Sequence, residues 1–162
     1  MKYQSDSGPQ IKVDFYINNG EISKINLSNS VKSGTSWEIL SREECSALEK
    51  SIGLWMEEYC NGNPPKVELP VDLESLTPFT KKVLDHLYTL PFGETMSYME
   101  LASSVHKPKA SRAVGNACGR NPLPLLIPCH RILAKSHHLG GFSGGLSIKK
   151  KLLHHEGIFF LP

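Results

Sequence analysis

Residues 97–119 read "SYMELASSVHKPKASRAVGNACG", and the way they fold decides how the rest of the chain is read. Ser97 and Glu100 have the spacing of a capping box, in which a hydroxyl and a carboxylate each take one backbone N–H of a first helical turn. They open a short helix over "YMELASSV". Lys107-Pro108 breaks it, because proline lacks the amide and restricts the residue before it. "ASRAVGNACG" is the next short helix. Two short helices a few residues apart, the second rich in small residues, suggest a helix-turn-helix. In such a unit the second helix lies on DNA and the first crosses the backbone. Ala110, Ala113, Gly115 and Ala117 would permit close approach to a surface, and Arg112 would stand out as the one long cation. A plain helical hairpin in a core is the commoner use of this pattern.

Charge bears on that choice. The 162 residues carry a net +2, but unevenly. Residues 1–77 hold 7 Lys+Arg and 12 Asp+Glu, a net of −5, whereas residues 78–162 hold 11 and 4, a net of +7. All seven histidines lie in the second half. A basic half suggests a polyanionic partner; two lobes that attract each other would give the same numbers.

Upstream, Thr77-Pro78 is an N-cap with proline at the first helical position, opening a helix through Leu90 with Phe79, Val83, Leu84 and Leu87 on its core face. "PFGETM" is a turn. Downstream, "GGFSGG" (140–145) is dense in glycine, which lets backbone approach a ligand closely and suggests a loop or wing over a pocket. "SIKKKLLHHEG" is a closing helix, capped by Gly157.

The first half reads differently. "IKVDFYINN" (11–19) alternates apolar and polar and pairs with "EISKINLS" as a hairpin around Asn18-Asn19-Gly20. Ser41 and Glu44 suggest a capping box for a helix to about Cys60, with Leu48, Ile52, Trp55 and Tyr59 on one face. "NGNPP" (61–65) ends it, and "KVELPVDLESL" is a short strand plus connector. The expected fold class is α+β: a small N-terminal α/β lobe of hairpin or sheet plus helix over 1–75, then a mostly helical domain with a helix-turn-helix over 76–162.

The chemistry centres on "NPLPLLIPCHRIL" (121–133). A thiol and an imidazole, Cys129 and His130, end an apolar, proline-punctuated run. Four cysteines (45, 60, 118, 129) show no metal-finger spacing, so no metal site is expected. A nucleophilic thiol needs a base or a cation beside it. In an extended segment adjacent side chains point to opposite sides, so contact between Cys129 and His130 would need a turn or a bridging water. Glu156 is a candidate to orient the imidazole, because this half has only Asp85, Glu94, Glu100 and Glu156 as acids. A buried, inert Cys129 remains open on these grounds.

"IPCHRIL", with "SRAVG" and "NP" before it and "SGGL" and "LLHHEG" after it, closely resembles the O6-alkylguanine-DNA alkyltransferases, the methylated-DNA–protein-cysteine methyltransferases. The resemblance covers about residues 77–158; the first 75 residues match only in general design. It implies a winged helix-turn-helix that enters the minor groove of double-stranded DNA, flips the damaged guanine into a pocket, and takes the alkyl group from O6 onto a cysteine in one irreversible turnover without a cofactor. O4-alkylthymine is a second candidate substrate. Carried over by position, Cys129 is the acceptor thiolate, and His130 takes its proton through a water, with Glu156 behind the ring. Asn121 pins the turn before the cysteine segment. Tyr98 donates to the departing guanine, Ser143 contacts O6, and Arg112 fills the space left by the flipped nucleotide. Lys107, Lys109 and Lys135 are phosphate neighbours on charge alone. Phe142 stands where the family often has tyrosine.

A monomer inside the cell is expected, cytoplasmic or, in a eukaryote, nuclear, with no membrane association. No apolar run approaches the roughly 20 residues a bilayer span needs. The main alternative is a protein that binds alkylguanine without removing the group. A cysteine hydrolase would leave the basic half without a purpose, and a plain winged-helix transcription factor has no use for a pocket thiol.

Overall fold

The computed structural model describes residues 1–29 and 33–162. It divides into two compact units, Met1–Asp72 and Leu73–Pro162.

The first unit is a four-stranded sheet with one helix. Its strands are β1 (Lys2–Ser5), β2 (Ile11–Asn18), β3 (Glu21–Asn29) and β4 (Thr35–Leu40), in the order β1-β4-β2-β3. β2 and β3 form the hairpin read from the sequence, turning through Asn19 and Gly20, both at positive φ. That geometry matches the twist of the two strands. β4 runs parallel to β2 and antiparallel to β1. Alternation buries Ile11, Val13, Phe15 and Ile17 of β2 and Thr35, Trp37 and Ile39 of β4. Three details differ from expectation. Helix α1 spans Ser46–Cys60 and starts without a side-chain cap; the Ser41 hydroxyl accepts from Glu43 N at 3.1 Å, two residues on, and so caps nothing. Its buried face is Ile52, Met56, Tyr59 and Cys60, whereas Leu48 and Trp55 are only half-buried. The "KVELP" segment forms no strand; a single bridge joins Val71 to Ile22, since prolines 64, 65 and 70 interrupt any longer ladder.

The second unit is mostly helical. α2 (Pro78–Tyr88) is capped by Thr77, whose hydroxyl accepts from Thr80 N at 3.3 Å. It stops two residues short of the expected Leu90, and Thr80 takes the buried place expected of Phe79. A two-residue strand, β5 (Met96–Ser97), leads into α3 (Tyr98–Ser104), where both halves of the capping box form. α3 ends on a Schellman turn: His106 N bonds Ser103 O, Lys107 N bonds Ala102 O, and His106 takes the left-handed conformation. α4 (Ser111–Gly119) follows, so the helix-turn-helix pair forms. Val114, Ala117 and Cys118 of α4 are buried, while Arg112 and Ala113 face solvent; Ala117 is therefore core, not approach surface.

β6 (Ile132–Leu133) pairs parallel with β5. This two-residue ladder ties the start of α3 to the residues just after Cys129. α5 (Leu146–His155) closes the unit. Its own Schellman turn runs through Gly157 at φ 69°, with Gly157 N to His154 O and Ile158 N to Leu153 O. That turn makes Glu156 the C-cap and fixes where its carboxylate goes. Leu133, Leu139, Leu153 and Ile158 pack as one cluster with Phe160 against it.

Candidate active site

The cysteine segment is not extended. Residues Cys129–Arg131 form one 3-10 turn, and all three are buried. The turn sends consecutive side chains to different partners. Asn121, itself buried, closes the loop in front of it: its Nδ2 donates to Ile127 O at 2.8 Å and to Cys129 Sγ at 3.1 Å, and its Oδ1 accepts from Leu123 N at 2.9 Å. One amide therefore shapes the turn and touches the thiol. Leu125, inside this loop, is held at φ 83°, a costly conformation for a bulky residue that its buried surroundings enforce.

Behind the thiol lies a buried charged cluster. His130 Nε2 is 2.7 Å from Glu156 Oε1. Arg131 Nε donates to Glu156 Oε2 at 2.6 Å and Nη2 to Oε1 at 3.1 Å, while Nη1 donates to Leu90 O at 2.7 Å. Burial alone would raise the Glu156 pKa; hydrogen bonds and charge from His130 and Arg131 outweigh it and hold the carboxyl well below its ordinary range. Burial pushes His130 the other way, below its ordinary value, against the pull of Glu156. At neutral pH the imidazole is therefore neutral. Facing an ionised carboxylate, its Nε2 must carry the proton, which leaves Nδ1 as the basic nitrogen. Nδ1 has no hydrogen-bond partner among the described residues.

The thiol itself is pushed up by burial; the Asn121 hydrogen bond, the Lys149 charge and the backbone N–H groups of Cys129 and His130 pull it down but do not win. At neutral pH the resting group is therefore a thiol, which has to lose its proton before it can attack. Lys149 is the residue the sequence reading missed. It sits on α5, fully buried, with Nζ donating to Ile132 O at 2.6 Å and Gly141 O at 3.0 Å. Burial lowers its pKa to about 8, opposed by Cys129 and Cys118. It lies in a run of three lysines (149–151), which reads as a solvated face. The i, i+3, i+4 spacing from Leu152 and Leu153 back to Lys149 was the available signal that this one faces inward.

A cavity of about 220 Å³ opens onto Cys129. Tyr98, Cys118, Phe142 and Ser143 line it, with the backbone of Gly115 and Gly141. It is smaller than the roughly 300–1,000 Å³ of a site for a drug-sized ligand. The half-buried phenol of Tyr98 is pushed up by burial and by the two thiols, against the Gly141 N–H, so it is a hydrogen-bond donor at neutral pH. Gly140, at φ 64°, passes so close to Tyr98 that a Cβ would sit 3.3 Å from its ring. Ser143 is exposed at the rim. A larger groove of about 570 Å³ shares Tyr98 as a wall and includes Lys135, but no cysteine lines it. Arg112, Lys107, Lys109 and Lys135 are all exposed and outside the thiol cavity. Cys129, Asn121, His130 and Glu156 are thus brought together, and Tyr98 and Ser143 share the cavity with the thiol.

Fold and site together define a class: an α+β chain whose helix-turn-helix domain carries a buried, hydrogen-bonded thiol at the foot of a small cavity. The family described as 6-O-methylguanine DNA methyltransferase, DNA binding domain, matches residues 78–158. A methylated-DNA–protein-cysteine methyltransferase of Shigella flexneri is 38% identical over 106 residues, 65% of this chain and 62% of that protein. The human protein of that name is 51% identical over 80 residues, 49% of this chain and 39% of its own length. The crystal structure of Mycobacterium tuberculosis OGT in complex with DNA superposes with a TM-score of 0.68 at 31% identity, covering 88% of this chain and 85% of that one. The chain belongs to the 6-O-methylguanine DNA methyltransferase family. It spans less than two thirds of the length of the two methyltransferases named here.

Proposed function

We propose that the protein repairs O6-alkylguanine in double-stranded DNA by moving the alkyl group onto its own Cys129, once per molecule. The observation that carries this reading is a buried thiol, hydrogen-bonded by Asn121 and lining a small cavity, beside a neutral histidine whose carboxylate partner already holds the other ring nitrogen. His130 Nδ1 receives the Cys129 proton through a water, and Glu156 and Arg131 keep the ring in the required tautomer. The thiolate then faces Lys149. Sγ attacks the alkyl carbon and the C–O6 bond breaks. Negative charge that develops on the guanine is met by a proton from Tyr98. No step returns the thioether to a thiol, so turnover stops at one.

A base inside a duplex cannot reach this cavity while stacked, so it has to be flipped out. Arg112 makes no hydrogen bond or ion pair among the described residues and stands exposed on α4, which suits it to fill the gap left in the stack. In this reading α4 approaches from the minor groove, Lys107, Lys109 and Lys135 meet phosphates, and the protein acts as a monomer in the compartment that holds the DNA. Domain 76–162 carries the reaction. Titrating the protein with duplex containing one O6-methylguanine tests this: repair should level off at one lesion per protein. Continued turnover at substoichiometric protein would point to a hydrolytic reaction instead.

A further inference from the structure

The transfer reading leaves Cys118 without a task. It is buried in the last turn of α4, and its flanking positions in the cavity wall are Gly115 and Gly119. The helix therefore presents one functional side chain to the space above Cys129, and that side chain is a second thiol. Cys118 feels the charge of Cys129, and both thiols interact with Lys149. We infer that Cys118 captures alkyl groups that carry a leaving group on their second carbon, closing a Cys129–S–CH2CH2–S–Cys118 bridge after transfer.

The inference rests on the transfer reading and adds a second step to it. For a 2-chloroethyl lesion, Cys129 first takes the group from O6 and guanine leaves. The new thioether sulfur then displaces chloride from the second carbon, giving a three-membered episulfonium ion. The Cys118 sulfur attacks one ring carbon, the ring opens, and the thiol proton passes to water. The sum is one lesion and two thiols to guanine, one bis-thioether and HCl, with no change of oxidation state.

Two features favour capture by Cys118 over escape. Groups held in one cavity react at effective concentrations of about 10⁵ M or more when aligned, far above that of water. Cys118 rests as a thiol, pushed up to about 12 by burial and then by the Cys129 charge. Lys149 keeps its charge after the transfer and favours the thiolate form of Cys118 as it attacks the ring. Without capture, the episulfonium ion would face the DNA just repaired.

The test is intact-protein mass and peptide mapping of the full, reduced chain after reaction with duplex containing one freshly made O6-(2-chloroethyl)guanine. The expected product gains about 26 Da, two carbons and four hydrogens in and two thiol hydrogens out, with the Cys118 and Cys129 peptides joined. Cys118→Ser should move the product to a gain of about 44 Da, a hydroxyethyl group on Cys129, or to a covalent DNA adduct. Either of those products from the unaltered chain overturns the proposal, as does a joined product that survives in Cys118→Ser. A parallel reaction with O6-methylguanine separates the two levels. Methyl transfer without bridging overturns the capture alone, and no transfer from either lesion overturns both.

Discussion

Lys149→Met removes the buried cation whose charge lowers the Cys129 pKa, while keeping an unbranched side chain of similar length. At an effective dielectric of about 20, unit charges interact by about 4 kcal/mol at 4 Å and about 2 kcal/mol at twice that distance. Taking the smaller figure, loss of the cation raises the Cys129 pKa further and leaves roughly 30-fold less thiolate at any pH below the midpoint. A more basic thiolate is also a better nucleophile, with a Brønsted slope of about 0.4–0.5, so roughly five-fold is regained. The net expectation is a single-turnover rate about six-fold lower near neutral pH. The sign is set by the charge: without the cation the thiolate is less favoured, so the acid limb of the pH–rate profile moves to higher pH. Rapid-quench transfer from O6-methylguanine duplex, measured from acid to alkaline pH, reads both quantities. A slower variant whose acid limb has not moved would refute the electrostatic role, and would assign Lys149 to tethering Ile132 O and Gly141 O alone.

Glu156→Gln should destabilise the protein by about 3–5 kcal/mol in chemical denaturation, because Arg131 is left buried without its counter-charge. The same cluster sets an acid limit. His130 is held below its ordinary 6.5 and Glu156 below its ordinary 4.5, so stability present above those values is lost as pH falls below about 6.5 and again below about 4.5; the lower step should shrink in Glu156→Gln, leaving the smaller share of Glu100. Asn121→Ala strands Ile127 O and Leu123 N in a buried loop and should cost about 2–4 kcal/mol of stability along with most of the transfer rate. Arg112→Ala should slow transfer from duplex DNA while leaving reaction with a free O6-alkylguanine base unchanged; equal losses on both would remove it from base flipping. Raising salt should weaken duplex binding steeply in the wild-type chain, since phosphate contacts release counterions.

What was legible in the sequence was local. Ser97 with Glu100, Thr77 with Pro78, and Asn19 with Gly20 each satisfy nearby backbone groups, and each formed as read. Ser41 and Glu44 had the same spacing, but Ser41 was taken by a tighter turn, and a pattern cannot tell which local bond wins. β4 was missed because its pairing is non-local: its neighbours are β1 and β2, from 24 to 36 residues away in register. The site divides the same way. Cys129, His130 and Asn121 sit in one short stretch, and Glu156 stood out among few acids. Lys149 and Cys118 carry no local signature: one hides among lysines, the other among small helix residues. Their meaning comes from α4 and α5 meeting the cysteine turn, which only the folded chain reveals. Arg131 was in plain view beside His130, yet its bidentate hold on Glu156 depends on the Schellman turn at Gly157.

The central claim is that Cys129 itself receives the alkyl group. The most direct measurement is intact-protein mass after reaction with duplex containing one O6-methylguanine, followed by peptide mapping. The expected result is a gain of about 14 Da, one methylene, on the peptide that holds Cys129. An unchanged mass despite tight binding to the same duplex, or a methyl group mapped to any other residue, would contradict it.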